Sequence, residues 1–303
     1  MDLNGLKTKL KEDDLSFELF FTRKLRNGNY VSFSPNIDVQ IYDDLLTLII
    51  EYLEKFEDKA LVEYNPTGYK DGTIETCDIS YINDYTKVLD SFSESDKVET
   101  EIDPDNYNFY TLSITKDNDS DFPEIKIFRR VTKFKKLHSK GIIARFKGNT
   151  LNKIESKLIG IDGEVDFIVI DEKNFILSHY SLERIFNLDE QFRDTASEFL
   201  NQDGLSEGIT NFESFYKDCL NDGRYRKTLT KMTNENIDIV KTYENYENII
   251  MTIEMFDLEI NYSEEQVFSI VYEEKNQIMD ILRILRDSYY RSLINEQIGV
   301  DDK

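Results

Sequence analysis

Apolar positions at the N-terminal end of the chain alternate first and then recur at helical spacing. Residues 16–24 (SFELFFTRK) alternate, which predicts a strand with its aromatic side chains on one face. Asn27-Gly28 is a hairpin signal, because both central residues of a type I′ turn need positive φ, and residues 30–33 predict the returning strand. Residues 38–56 carry apolar side chains three and four apart, which predicts an amphipathic helix. The chain therefore opens with a ββα unit.

A second hairpin is predicted in the middle of the chain. Residues 165–170 form an apolar run interrupted by Asp166, and residues 175–177 form another after the turn sequence DEKN. A helix is expected next, with Ser181 accepting hydrogen bonds from its first free N–H groups. The following helix begins at Asp189 and buries Phe192, Ala196, Phe199 and Leu200; Gly204 ends it in a left-handed conformation.

The rest of the chain predicts loops, strands and helices in succession. Residues 68–78 have loop character, whereas residues 107–115 and 124–131 predict strands. Two further strands at residues 257–272 form a hairpin, and a long closing helix is predicted over residues 276–295. The predicted fold class is α+β, with an N-terminal ββα-type unit, a central mixed β-sheet with helices, and C-terminal helices with a β-hairpin. We place the domains at residues 1–118 and 119–303.

Composition narrows the class of protein. The 303 residues are 40% hydrophobic and 13% aromatic, which predicts a folded chain with a sizeable core. Two cysteines far apart in sequence favour a reducing, cytoplasmic setting. No apolar stretch is long enough to span a membrane. Zinc-ligand spacings and glycine-rich phosphate loops are missing from the sequence, so we expect no metal and no cofactor.

The net charge of −23 conceals a basic island. Residues 126–157 contain eleven Lys and Arg and one acid, a local charge of +10, so the rest of the chain carries −33. Because phosphates repel acidic chains, such an island is where nucleic acid would bind. The other interpretation is a solvated sheet edge on which lysines discourage aggregation. The island residues predicted to contact DNA are Lys126, Arg129, Arg130, Lys133, Lys135, Lys136, Lys140, Arg145 and Lys147.

Two smaller features complete the candidate DNA surface. Phe128, Phe134 and Phe146 interleave with the basic residues and could stack bases, although strand aromatics more often belong to the core. A second basic cluster stands at a predicted helix start and is formed by Arg224, Arg226, Lys227 and Lys231.

One arrangement suggests metal-dependent catalysis. Asp162, Asp171 and Lys173 resemble the carboxylates and lysine with which nucleases hold Mg²⁺ and orient the attacking water. The sequence DEKN that contains Asp171 and Lys173 is also a natural turn between two strands, outside the strand where that nuclease motif normally lies. We favour the turn, so the chain is predicted not to be an enzyme, and a Mg²⁺-dependent nuclease is the alternative.

The run IDGEVDFIVIDEKNFILSHYSLERIFNL resembles the central motif of the B protein of the Kiwa antiphage defence system, a family formerly labelled only as a domain of unknown function. Leu182-Glu183-Arg184-Ile185-Phe186 resembles its Leu-Glu-Arg-Phe-Phe helix. RKTLTK, at residues 226–231, resembles an Arg-Lys-Leu-x-Lys stretch of the family. The closing apolar stretch with Tyr289-Tyr290 and the opening aromatic strand are also similar.

That resemblance implies a cytoplasmic component of a two-protein bacterial defence system, placed at the inner face of the membrane by a multi-span membrane partner. It also implies a homodimer that binds double-stranded DNA without cutting it and hinders phage replication or transcription. A nuclease and a protein-interaction scaffold without nucleic-acid binding are the rival classes. A gel shift with and without Mg²⁺ distinguishes the three.

Overall fold

The chain forms two compact units. The computed structural model describes residues 3–95, 106–117, 119, 121–131, 144–147, 150–153, 159–265 and 267–301, with the backbone alone for 4, 144–147 and 151–153. The first unit comprises Met1–Tyr64 and Tyr69–Leu188, and the second comprises Asn65–Gly68 and Asp189–Lys303. The division that we placed after residue 118 lies inside the first unit, between two strands that pair with each other.

A mixed sheet organises the first unit. Its strands are β1 (Leu15–Lys24), β2 (Tyr30–Phe33), β3 (Ala60–Glu63), β4 (Thr73–Asp78), β5 (Phe109–Lys116), β6 (Ile125–Arg130), β9 (Phe167–Ile170) and β10 (Lys173–Ile176). The order is β2-β1-β5-β6-β9-β10-β4-β3, with β3 and β4 parallel and the other described pairs antiparallel. A separate hairpin joins β7 (Ala144–Lys147) to β8 (Thr150–Lys153).

Helices accompany both faces of this sheet. They are α1 (Leu3–Lys9), α2 (Val39–Leu53), α3 (Tyr85–Ser93) and α4 (His179–Phe186), with single 3-10 turns at Glu54–Phe56 and Ile79–Tyr81. Successive strand residues point to opposite faces. In β1, Leu19 and Phe21 therefore belong to the core with α1 and α2, whereas Phe20 stacks on Phe92 of α3 with ring centroids 4.3 Å apart. The predicted ββα opening and the α+β class are confirmed.

The central hairpin is confirmed as well: β9 and β10 pair antiparallel in register from Ile170↔Lys173 to Phe167↔Ile176. Phe128 of β6 packs on Phe167 at 4.3 Å and is fully buried, so it belongs to the core and has no face available to a base. Phe134 lies outside the described residues, and Phe146 lies on β7, where only the backbone is described.

Three local predictions for the first unit are wrong. Residues 68–78 are not all loop, because β4 is held by hydrogen bonds to both β3 and β10. Ser181 does not cap α4: Ser178 occupies the N-cap position, without a side-chain hydrogen bond to the first N–H groups, and Ser181 is buried inside the helix. Of Asn27-Gly28, only Gly28 has positive φ (85°), so the hairpin turn is not type I′.

Helices make up most of the second unit. They are α5 (Leu188–Leu200), α6 (Leu205–Gly208), α7 (Phe212–Asn221), α8 (Gly223–Asn234), α9 (Ile239–Glu244), α10 (Tyr246–Met255) and α11 (Ile278–Leu285), with a 3-10 turn at Lys275–Gln277. β11 (Ile209–Thr210), β12 (Asn261–Ser263) and β13 (Ser269–Val271) form a small sheet, and β14 (Tyr289–Arg291) pairs with β15 (Ile298–Val300). The part of the chain that is described contains no helix long and apolar enough to cross a membrane.

The helix from Asp189 and the hairpin of residues 257–272 are confirmed, with Phe192, Ala196, Phe199 and Leu200 buried. Gly204 is left-handed (φ 85°), although the helix already ends at Leu200. The long closing helix is wrong: α11 ends at Leu285, and Asp287 turns the chain with φ 55° into the β14–β15 hairpin.

Candidate nucleic-acid interface

The three residues of the nuclease hypothesis lie at two ends of the sheet. Asp162 binds the side chain of Arg129 at one end of β6, whereas the Asp171 amide donates to the Glu124 carbonyl at the other. Since a strand advances about 3.3 Å per residue, roughly 16 Å of strand separates these positions. Lys173 opens β10 beside Asp171. No group of three His, Cys, Asp or Glu in the described residues is placed to hold a metal ion.

Arg129 and Lys126, the first cations of the basic island, are paired inside the first unit. Arg129 donates to Asp162 from Nε at 2.8 Å and from Nη2 at 3.1 Å, to Asp166 at 3.1 Å, and to Glu164. Burial disfavours the charged guanidinium, but these carboxylates outweigh it and hold the pKa of Arg129 above its usual value. Lys126 is buried and forms an ion pair with Glu124.

Arg130, the last residue of β6, is half-buried and lies beside an exposed aromatic ring. Its backbone N–H donates to Asp166 at 2.7 Å, while its guanidinium lies 5.5 Å from the ring centre of Tyr180. Four of the predicted DNA contacts, Lys133, Lys135, Lys136 and Lys140, lie outside the described residues. Arg145 and Lys147 lie on β7, where the backbone alone is described. DNA contact by these residues stays a prediction.

The second basic cluster begins helix α8, whose first N–H groups are capped by Asp222. Arg224, Lys227, Thr228 and Lys231 follow at spacings of three, four and seven residues, which places them on one face of the helix. Arg226 points elsewhere: its guanidinium is buried, donates to the Leu220 carbonyl at 2.7 Å, and pairs with Asp189. On α8, Arg224 is therefore exposed and Lys227 half-buried, whereas Lys231 is buried in the helix and Arg226 is a structural arginine.

Helix α11 supplies the other wall of a basic cavity. Met279, Leu282, Arg283 and Arg286 repeat the same spacing, and their side chains and those of the α8 face line a cavity of about 590 Å³. None of its described lining residues is acidic. We name it the α8–α11 cavity; its cations are Arg224, Lys227, Lys231, Arg283 and Arg286.

Carboxylates outside the cavity hold two of these cations in place. Arg283 pairs with Asp280 at 3.1 Å, and Arg286 makes two hydrogen bonds to Glu235, at 2.6 and 2.8 Å. Arg224 is the most exposed, with 64% of its side chain accessible and Asp222 3.9 Å away. Five cations therefore line the cavity, and the carboxylates of Asp222, Asp280 and Glu235 lie outside its described lining. Arg283 and Arg286 were missed in the sequence because residues 276–295 were interpreted by their apolar stripe alone.

His179, at the start of α4, forms ion pairs that the sequence did not reveal. Its Nδ1 lies 2.7 Å from Glu75 and its Nε2 lies 3.0 Å from Glu183, so one imidazole joins β4 to α4. Burial alone would lower the pKa of His179, but hydrogen bonds with Glu183 and Glu75 outweigh burial and raise the pKa to about 9. The imidazolium is therefore a structural cation at neutral pH.

We expect this pairing to make stability depend on pH. Because the folded-state pKa of about 9 exceeds the unfolded value of about 6.5, the stabilisation is complete below pH 6.5 and is lost as pH rises through 9. Urea midpoints of the wild type should fall across that range more steeply than those of His179→Gln. Parallel midpoints for the two proteins would show that the ion pairs contribute nothing.

Comparison with known protein families identifies the family to which the chain belongs. Residues 104–295 match the family model described as Kiwa protein KwaB-like. The chain belongs to the KwaB-like family. The resemblance drawn from its sequence is thus confirmed, and KwaB-like membership makes the chain a component of the Kiwa antiphage defence system. The KwaB-like match covers the basic island, helix α8 and helix α11. No curated protein and no solved structure matches the chain.

Proposed function

We propose that this KwaB-like protein binds duplex DNA without cutting it and thereby hinders phage replication or transcription. The α8–α11 cavity carries this proposal: five cations line it and no described lining residue is acidic, although the chain as a whole has a net charge of −23. A sequence this acidic repels nucleic acid on average, so binding needs a surface that is lined by cations and not by acids. Lysine and arginine contacts to phosphates are independent of base sequence.

Only some cations of the basic island are proposed to contact DNA. Arg130 and the island residues beyond it stay in the proposed DNA surface, the latter as sequence predictions, whereas Lys126, Arg129 and Arg226 stabilise the fold through the ion pairs described above. An arginine bound by three carboxylates has no net positive charge to offer a phosphate. The proposed DNA contacts are therefore Arg130, the remaining island residues, and the exposed face of α8.

The Kiwa resemblance supplies the partners in this proposal. A multi-span membrane protein of the same defence system holds the chain at the inner face of the membrane, in the cytoplasm. The chain acts as a homodimer, because two α8–α11 cavities on one duplex would raise the effective concentration of the second contact once the first has formed.

A gel shift of the purified full chain with labelled duplex DNA tests the proposal. We expect a shift without Mg²⁺, equal affinity for unrelated sequences, and intact DNA after incubation with Mg²⁺. The logarithm of affinity should fall linearly with that of salt concentration, by about 0.9 for each phosphate contact. Nicked or shortened DNA would favour the nuclease, and no shift at any salt concentration would leave the protein-interaction scaffold.

A further inference from the structure

A small cavity in the first unit has the Glu75–His179 pair in its wall. It has a volume of about 300 Å³ and is formed by the residues before and within β4, the end of β10 and the start of α4. Tyr69 and Tyr180 line it, and both are largely exposed, at 67% and 53%. We name it the Tyr69–Tyr180 cavity. Two large aromatic side chains at the mouth of one cavity provide the flat apolar surfaces on which nucleic-acid bases stack.

Cations accompany the tyrosines. The guanidinium of Arg184, one helical turn after Tyr180, lies 4.5 Å from the ring centre of Tyr180, and that of Arg130 lies 5.5 Å from it. Within the described residues, neither guanidinium has a carboxylate within ion-pair distance, in contrast to Arg129. Lys70 lines the same cavity. The mouth thus combines aromatic rings with positive charge, which is how proteins hold single-stranded nucleic acid.

The interior has the opposite character. Glu75 is buried in the cavity wall, and His179 bridges it to Glu183, with the ring of Tyr64 stacked on the imidazole at 5.0 Å. Two carboxylates and one imidazolium give this wall a net negative charge, which would repel a phosphate. The N–H groups of bases, including N3–H of thymine, are hydrogen-bond donors and suit such a wall. A nucleotide would therefore enter base first, leaving its phosphate beside Arg130, Arg184 and Lys70.

The volume of the Tyr69–Tyr180 cavity indicates whether it can hold a base pair or a single unpaired base. A cavity of about 300 Å³ is at the lower end of ligand sites and has room for one base with its sugar, but none for a base pair. A base that is paired and stacked in a duplex cannot reach it without being extruded. We propose that the Tyr69–Tyr180 cavity binds one unpaired nucleotide of single-stranded DNA. This inference rests on the DNA binding proposed above and adds a second, strand-selective site to it.

The test measures fluorescence anisotropy of the full chain with three labelled probes: oligo-dT, the same strand with abasic sites, and a duplex. We expect the double variant Tyr69→Ala/Tyr180→Ala to bind oligo-dT at least tenfold more weakly, since each stacked base contributes roughly 1–3 kcal/mol. Duplex affinity should change by less than about twofold. Tyr180→Phe should retain oligo-dT binding, and the wild type should discriminate against the abasic strand.

Tyr290→Ala is the matched control, because Tyr290 is equally exposed (54%) but lies on the β14–β15 hairpin. Both replaced tyrosines of the double variant are exposed, and a thermal unfolding scan confirms that it folds. Unchanged oligo-dT binding by the double variant, or equal losses for oligo-dT and duplex, would overturn the inference while leaving duplex binding standing. Oligo-dT binding that depends on the two tyrosines, without any duplex binding, would overturn the proposed duplex binding and leave this inference standing.

Discussion

Replacing Arg129 by methionine is expected to lower the free energy of unfolding by about 3 kcal/mol, the lower end of the cost of breaking a buried ion pair. Methionine keeps much of the apolar stem but leaves three carboxylates together. Asp166, whose side chain is 3% exposed, loses the 3.1 Å bond to Arg129 and keeps its bond to the Arg130 amide. Asp162 loses two hydrogen bonds and faces Glu164 without the cation between them.

Urea unfolding followed by circular dichroism measures this loss, with Arg130→Met as the matched control. Arg130 is the next residue of the same strand and carries the same charge, but its guanidinium contacts the Tyr180 ring and no described carboxylate. We expect Arg130→Met to change the unfolding free energy by less than about 1 kcal/mol. Equal stability of Arg129→Met and wild type would mean that the three carboxylates are accommodated by solvent, and Arg129 would become a candidate for DNA contact again.

Arg129→Met and Arg130→Met also distinguish a loss of DNA binding that comes from a weakened fold from one that comes from a lost phosphate contact. A sequence count of charge treats Arg129 and Arg130 alike, because the acids that bind Arg129 stand 33 to 37 residues further along the chain. Only the pairing of β6 with β9 brings Asp166 beside it. The island was correctly located as a compositional feature, but which of its cations are exposed depends on contacts that no local window contains.

The secondary structure was likewise predictable only where the residues that determine it are close together in the sequence. The β9–β10 hairpin was predictable because its apolar runs and its turn are contiguous. Strand β4 was not, because Thr73–Asp78 alternates only weakly and becomes a strand through hydrogen bonds to β3 and β10, of which β10 lies about a hundred residues away. The end of α11 was missed because the apolar spacing continues past Leu285, while Asp287 adopts a left-handed backbone and Tyr289–Arg291 finds a strand partner.

For the candidate site, the sequence identified one wall of the α8–α11 cavity. Arg224, Lys227 and Lys231 are close together in sequence and share a helix face, so their clustering is visible locally. Arg283 and Arg286 join them from a helix more than fifty residues later. Their spacing of three was a usable signal, since it places both on one face of α11 beside Met279 and Leu282.

Neutralising two cations of this cavity, Arg224→Gln with Lys227→Gln, is expected to weaken duplex binding roughly thirtyfold at physiological salt. Each phosphate contact contributes about 0.9 to the slope of log affinity against log salt, so the slope should become shallower by about 1.8. The loss should be the same for unrelated DNA sequences, because contacts to phosphates carry no base information. Salt titrations with two duplexes of different sequence measure both quantities.

Lys217→Gln with Lys241→Gln is the control, because both lysines are exposed residues of the second unit outside the α8–α11 cavity and their loss changes net charge equally. The general increase in repulsion from an acidic chain affects both double variants, and salt screens it beyond about 8 Å. Only loss of direct contacts changes the slope. If both double variants lose affinity alike with the wild-type slope, the cavity is not the place where DNA binds, and the basic island of the first unit becomes the site to neutralise next.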